Sequence, residues 1–267
     1  MTVLSWIRRH LLAVVALAVL VYMLIPNVVV AIFSFNNPSG RYNYEWTQFS
    51  TQAWQHPCGT PGICDSLGLS LKIGVIASVV ATVLGTMVAF ALGRHRFRGR
   101  AGTNLLIFMP MATPEVVMGS SLLTLFVMMG VPSGSGAILI AHIMFCLSFV
   151  VVAVKARVAS LDPRLEEAAA DLGANPVQTF LRVTLPLTAP GIAAGALLAF
   201  SLSFDDYIIT NFNASPNSIT FPMYVWGAST RGTPVQINVV GTVMFLLALA
   251  AVMGGQALSS RRARASA

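Results

Sequence analysis

Six stretches of mostly apolar residues recur along this chain. Each is long enough, at about 20 residues or more, to cross a hydrocarbon core as a helix. They run approximately from Leu11 to Phe33, Leu67 to Leu92, Gly102 to Met129, Gly136 to Val154, Pro190 to Asn211 and Ile237 to Leu258. Inside a bilayer every backbone N–H and C=O must be satisfied within the protein, which leaves only helices and closed barrels as spanning structures. The alternation of a barrel strand over ~10-residue segments is absent. The expected fold class is therefore an all-α polytopic membrane protein with six transmembrane helices. Of the 267 residues, 56% are hydrophobic and only 9% charged, against about 25% charged in soluble domains. That leaves too little polar surface to cover a water-exposed globule. Residues 1–267 are read as one transmembrane domain with no appended soluble domain.

The formal net charge is +7 and the pI near 9.9, which admits either a nucleic-acid partner or an anionic membrane surface. The placement of the charges decides between them. Arg8 and Arg9 precede the first span, and Arg94, Arg96, Arg98 and Arg100 lie between spans 2 and 3. Lys155, Arg157, Arg164 and Arg182 lie between spans 4 and 5, and Arg261, Arg262 and Arg264 follow span 6. The opposite side holds Arg41 and Arg231, with Lys72 near the mouth of span 2. Six spans make this alternation consistent, with both termini cytoplasmic by the positive-inside rule. The basic surplus is topological, and no nucleic-acid partner is expected. The first span resembles a signal peptide in its basic lead. Its apolar run exceeds the ~7–15 residues of a signal core and no small-x-small site closes it, so a retained anchor is expected.

The first outward loop, Ser34 to Ser66, carries Tyr42, Tyr44, Trp46 and Trp54, which suit either an interfacial belt or the rim of a docking surface. Cys58 and Cys64 lie in its Pro/Gly-rich part. They are either two free thiols or, in an oxidising exterior, a disulfide closing a small loop. Cys146, inside span 4, reads as a small packing residue. No metal site is expected, because His56 is the only imidazole near the cysteine pair. The second outward segment contains Phe221-Pro222-Met223-Tyr224-Val225-Trp226, too short to span and suited to lie near the interface.

The loop 156–189 between spans 4 and 5 differs from the others. Asp162-Pro163 is a helix cap followed by proline at the first helical position. Good helix formers, Glu166, Glu167, Ala168, Ala169 and Ala170, follow with Asp171 before Gly173 stops the helix. Asn175-Pro176 repeats the cap signal, and a second helix is expected to end at Leu185 before Pro186. Glu166, Ala169, Ala170 and Gly173 share one face at helical spacing. That face has little bulk and lets another protein approach closely; the alternative is a solvated loop helix.

These residues resemble the signature of ABC-importer permeases: Glu-Ala-Ala, three residues, Gly, nine residues, an aliphatic, any residue, then Leu-Pro. Glu167, Ala168, Ala169, Gly173, Val183, Leu185 and Pro186 stand at those positions, with valine where isoleucine is usual. The chain is identified on this basis as resembling the inner-membrane permeases of the MetI-like family. Ala141-His142-Ile143, Phe145-Cys146-Leu147, Phe149-Val150-Val151-Val152 and Ser203-Phe204-Asp205-Asp206-Tyr207 are similar to the PotC type of spermidine/putrescine permease. Related permeases for iron, phosphonates and opines share the architecture. The resemblance implies a coupling helix, Glu166 to Gly173, seated on an ATP-binding subunit, with Pro186 turning the chain into span 5. It also implies a bacterial inner-membrane location, a second permease resembling PotB, two ATP-binding subunits and an external solute-binding protein. ATP and magnesium would be used by the partner subunits and no cofactor by this chain, which has no GxxxxGK[ST] loop of its own and is not expected to be an enzyme.

Independent of the resemblance, acids occur inside the spans. Asp205 and Asp206 fall ~15 residues into span 5, roughly 22 Å from its cytoplasmic start. Glu115 falls near the middle of span 3, after Pro110 and Pro114, which are expected to kink it. An uncompensated carboxylate at depth costs at least ~2.5–3.5 kcal/mol, so such groups face a cavity, find a partner or stay protonated. No Lys or Arg is expected at their depth. Asp205 and Asp206, with Tyr207 beside them, are read as lining a cation-attracting path. Adjacent positions point ~100° apart, so only one of the two is expected to face the path while the other bonds a neighbouring helix. Glu115 is read either as a path residue or as a buried carboxyl bonded to a partner subunit. A proton-coupled secondary transporter would need no docking helix, and no inverted repeat is evident. A membrane-embedded enzyme is disfavoured because His10, His56, His95 and His142 form no metal motif.

Overall fold

A computed structural model of the protein describes residues 3–95 and 97–265, with side chains over 10–95 and 97–255. Arg8, Arg9, Arg96, Arg261, Arg262 and Arg264, part of the orientation argument, lie outside the described side chains. The helices are α1 (Val3–Phe33), α2 (Gln52–Gln55), α3 (Ile63–Arg94), α4 (Arg100–Ala112), α5 (Glu115–Met128), α6 (Ser135–Ala159) and α7 (Arg164–Asp171). They continue with α8 (Pro176–Thr179), a π-turn (Phe180–Thr184), α9 (Leu185–Asp205), α10 (Ile208–Asn213), α11 (Phe221–Arg231) and α12 (Val235–Ala265). Among the described residues, five stretches are long and apolar enough to cross a membrane singly, and α4 with α5 makes a sixth if the bent pair counts as one span. Runs such as Val150-Val151-Val152 in α6 would favour strand in water. They are helical here because hydrocarbon offers the backbone no other hydrogen-bond partner.

The helices divide into two compact units, residues 1–64 with 225–267, and residues 65–224. In the first, α12 packs against α1 and α2, with Ala53, Val235 and Val239 buried around Trp54. The outward loop folds on itself here. Asn36 Nδ2 donates to Asn43 Oδ1 and to the Glu45 carbonyl, each at 2.7 Å. The Trp54 indole N–H reaches Ser34 Oγ at 3.1 Å, and its ring stacks on Phe35 at 5.2 Å. Cys58 and Cys64 are joined in a disulfide with their Cα atoms 5.4 Å apart. Tyr42 and Tyr44 stack on each other at 5.4 Å and stay exposed.

In the second unit α6 is central, buried along its length from Ala137 to Val158. Lipid tails are as apolar as leucine, so close approach of backbones rather than apolar burial holds spans together. The chain supplies that approach with small residues at every fourth position of α9: Gly191, Gly195, Ala199 and Ser203. Running antiparallel, they meet Arg157, Val154 with Val150, Cys146 and His142 of α6. A β-carbon at Gly191 would sit 2.5 Å from that of Arg157. On α3, Gly85 leaves the space that Val150 fills, where a β-carbon would lie 2.7 Å from the valine methyl. Hydrogen bonds along the α6–α9 seam add to this packing, with Cys146 Sγ donating to the Ala199 carbonyl at 3.3 Å and Arg157 Nε to the Leu187 carbonyl at 3.0 Å.

Three expectations about the helices are corrected. Span 3 is not one kinked helix: α4 and α5 meet at 108°. Proline 114 forces Thr113 into extended backbone (φ −82°, ψ 131°), and Thr113 Oγ1 folds back on the Met109 carbonyl at 2.7 Å. Span 5 ends at Asp205, short of Asn211, and α10 follows as a separate short helix. The second helix of the loop does not stop at Leu185. It runs on without interruption from Pro176 to Asp205, because the π-turn, closed by the Leu185 N–H on the Phe180 carbonyl, widens the helix ahead of Pro186. Pro186 therefore does not turn the chain into span 5.

Overpacking these close contacts on α6 should cost about 1–3 kcal/mol. Gly85→Val is expected to lower the thermal unfolding temperature of the detergent-purified protein. Gly102→Ala, whose β-carbon meets nothing within 4 Å, should leave it unchanged or slightly raised.

Candidate functional site

The loop helix α7 is fixed at both ends by its own sequence. Asp162 Oδ1 accepts from the Arg164 N–H at 3.0 Å. At the other end Gly173 adopts φ +84°, a conformation an L side chain resists. The Gly173 N–H then bonds the Ala170 carbonyl and the Ala174 N–H the Ala169 carbonyl, at 2.9 and 3.0 Å, a Schellman closure. The next helix opens with a reciprocal capping box between Asn175 and Gln178 and with Pro176 in its first turn.

The orientation of α7 differs from the sequence expectation. Glu166 and Ala169, expected on the approach face, are turned toward the chain itself. Ala169 is buried, and Glu166 Oε1 receives Arg94 Nη2 at 3.1 Å and Thr184 Oγ1 at 3.0 Å. Those partners come from the end of α3 and the end of the π-turn, so tertiary contacts override the low-bulk argument. Ala170 and Ala174 line an open cleft of about 820 Å³ with Phe90, Arg94, His95 and Phe180. The face left uncovered is Glu167, Ala168, Asp171 and Leu172, and Leu172 is 90% exposed. Gly173 is exposed beside it.

The intramembrane acids are separated by the helix break. Asp205 is the last residue of α9 and exposed, while Asp206 has left the helix (φ −64°, ψ 124°) and is buried. The freed carboxylate caps α10. Asp206 Oδ2 accepts from the Thr210 N–H and hydroxyl, both at 2.8 Å, and Oδ1 from the Ile209 N–H at 3.3 Å. His142 of α6 completes the network, with Nε2 3.3 Å from Asp206 Oδ2 and 2.9 Å from Thr210 Oγ1, and Nδ1 2.7 Å from Ser203 Oγ. One arrangement of hydrogens satisfies every member: Ser203 donates to Nδ1, Nε2–H donates toward Thr210 and Asp206, and Thr210 donates to Asp206. Asp206, expected beside a path, is thus buried and bonded to a neighbouring helix, while Asp205 is exposed. Tyr207, half-buried, is the residue before α10.

Glu115 is exposed at the first position of α5, directly after the break. It is not enclosed by its own chain, and the helix start supplies partial positive charge for it. His142 and Arg94 are the participants that sequence reasoning passed over. A lone imidazole inside an apolar span is itself a signal that a partner exists. Removing the Asp206 carboxylate should leave His142 and the start of α10 unsatisfied, at about 1–3 kcal/mol. Asp206→Ala is therefore expected to lower thermal stability in detergent clearly, and Asp205→Ala to change it little.

Comparison with known proteins agrees with this architecture. Residues 81–265 match the family described as binding-protein-dependent transport system inner membrane component. The spermidine/putrescine transport system permease protein PotC of Escherichia coli (strain K12) is 34% identical over 242 residues, covering 91% of each chain. The putrescine transport system permease protein PotI of the same strain is 37% identical over 230 residues, 84% of this chain and 81% of that one. In fold, the chain is similar to one in the crystal structure of a bacterial ABC transporter involved in the import of the acidic polysaccharide alginate. The TM-score there is 0.68 at 18% identity, over 97% of this chain and 98% of the other.

Proposed function

The chain belongs to the binding-protein-dependent transport system inner membrane component family, and from that premise we propose that it is the permease subunit of an ATP-driven importer of polyamines. It is a multi-pass inner-membrane protein and the non-catalytic part of its transporter. On this reading residues 1–267 act as one permease domain with both termini cytoplasmic. It pairs with a second, PotB-like permease. Two ATP-binding subunits, which use ATP and magnesium, dock from the cytoplasm, and an external solute-binding protein delivers the cargo.

The observation that carries the proposal is the doubly capped α7, locked to its own chain on one side and open on the other. A surface of Glu167, Ala168, Asp171 and Leu172 that the chain leaves uncovered is suited to the cleft of an ATP-binding subunit. The relatives named for spermidine and putrescine support the cargo class. So does chemistry: a polyamine is a flexible polycation, and an exposed carboxylate at Asp205 lowers the cost of its dehydration without holding it tightly. Glu115, at a second helix break, offers a further acid. Weak contacts suit transit, with selection left to the binding protein. The likeness to the alginate importer supports the fold alone.

Two substitutions separate the engine from the cargo. A β-branched residue in the left-handed region costs roughly 1–2 kcal/mol, so Gly173→Val should weaken retention of the ATP-binding subunits about tenfold while membrane insertion is kept. Co-purification at normal strength would sink the docking assignment. Asp205→Asn should lower uptake of labelled spermidine or putrescine about fivefold, the loss expected for a partly solvated contact of roughly 1 kcal/mol. Assembly and ATP hydrolysis should be unchanged; undiminished uptake would take Asp205 out of the path.

A further inference from the structure

We propose that Arg94, Glu166 and Thr184 form an internal joint that passes displacement of α7 to the spans, separate from the surface that meets the ATP-binding subunit. The proposal rests on the importer reading above. A helix of eight residues between short turns cannot drive spans unless something stiff connects them. Its flanking turns, one closed by a glycine in the left-handed region, are short covalent tethers and not struts. Beside the packing of the buried Ala169, the polar connection is one carboxylate oxygen. Glu166 Oε1 accepts from Arg94, the last residue of α3, and from Thr184, the last residue of the π-turn. A single atom of α7 thereby ties the end of α3 to the π-turn within the 176–205 helix.

The environment suits transmission. The side chains of Arg94 and Glu166 are 19% and 35% exposed, so the pair is partly shielded from the water and salt that weaken surface ion pairs. The second contact falls on the one stretch of the 176–205 helix whose backbone is not α-helical. A π-turn is a local change of hydrogen-bond register and a place where a helix can rewind. Beyond it, Thr188 Oγ1 bonds the Thr184 carbonyl at 2.9 Å, and the small-residue seam begins at Gly191. Pulling Thr184 through Glu166 therefore acts on the helix that packs against α6 and ends at Asp205. The cleft beside the three residues gives α7 room to move. Glu166, Arg94 and Thr184 act through one another and are positioning residues.

The test uses the whole complex, with both permeases, both ATP-binding subunits and the binding protein, in proteoliposomes. The readout is polyamine transported per ATP hydrolysed, a ratio that a smaller amount of folded complex does not alter. Glu166→Gln and Arg94→Gln should lower it about tenfold, the order of a typical coupling free energy, and Thr184→Val, which removes only a hydroxyl, about threefold. The exchange Arg94→Glu with Glu166→Arg should bring the ratio back to within about twofold of the parent. Unchanged ratios in the single variants overturn the joint, as does an exchange that restores nothing. Loss of the ATP-binding subunits from the single variants would overturn it too, by assigning Glu166 to the docking surface. A parent complex that moves no polyamine under ATP would instead defeat the importer reading, a separate result.

Discussion

Backbones that must approach closely, because the solvent offers apolar side chains no reason to associate, are the constraint on which this structure depends. In water the apolar spans would collapse together; in hydrocarbon they gain nothing by it. The α6–α9 seam answers with small residues at every fourth position and a few hydrogen bonds. That seam carries both functional regions. At one end Arg157 bonds the Leu187 carbonyl close to the loop that holds α7. At the other, His142 meets Ser203 where α9 breaks and the acids begin.

The acids at that break show how polarity is made tolerable at depth. Two adjacent aspartates on an uninterrupted helix would both need compensation. Ending α9 at the first releases the second to cap the next helix and to meet an imidazole from α6. What remains is one satisfied, buried carboxylate that fixes geometry and one exposed carboxylate available to a cation. The same economy applies to Glu166, where one oxygen serves two donors while its neighbour Glu167 is left outward.

Much of this was readable in the chain. The long apolar helices follow from length and hydropathy, because hydrocarbon removes the alternatives. The ends of α7 follow from Asp162, Gly173 and Asn175-Pro176, whose effects are local. The rest was hidden for identifiable reasons. Pro114 announces a break but not a bend of 108°, which the packing of α5 decides. Pro186 reads as a stop only if the helix before it keeps α register, and the π-turn removes that condition. Which side of α7 faces inward depends on Arg94, distant in sequence. The pairing of Asp206 with His142 depends on the antiparallel register of α6 and α9. Spacing within one helix reports none of these.

The two interrupted spans also converge. Each restarts with an acid, Glu115 at α5 and Asp206 ahead of α10, and the restarted helices pack against each other, Gly119 of α5 closing on Ile209 and Phe212 of α10. Non-helical backbone, which a membrane tolerates only where protein or water satisfies it, is thereby gathered into one neighbourhood, while α3 and α6 of the same unit run unbroken. A bilayer holds a voltage only while it leaks little. Gathering the weak points in one place leaves the uninterrupted helices as insulation, while α5 and α10 close on each other and both pack against α6.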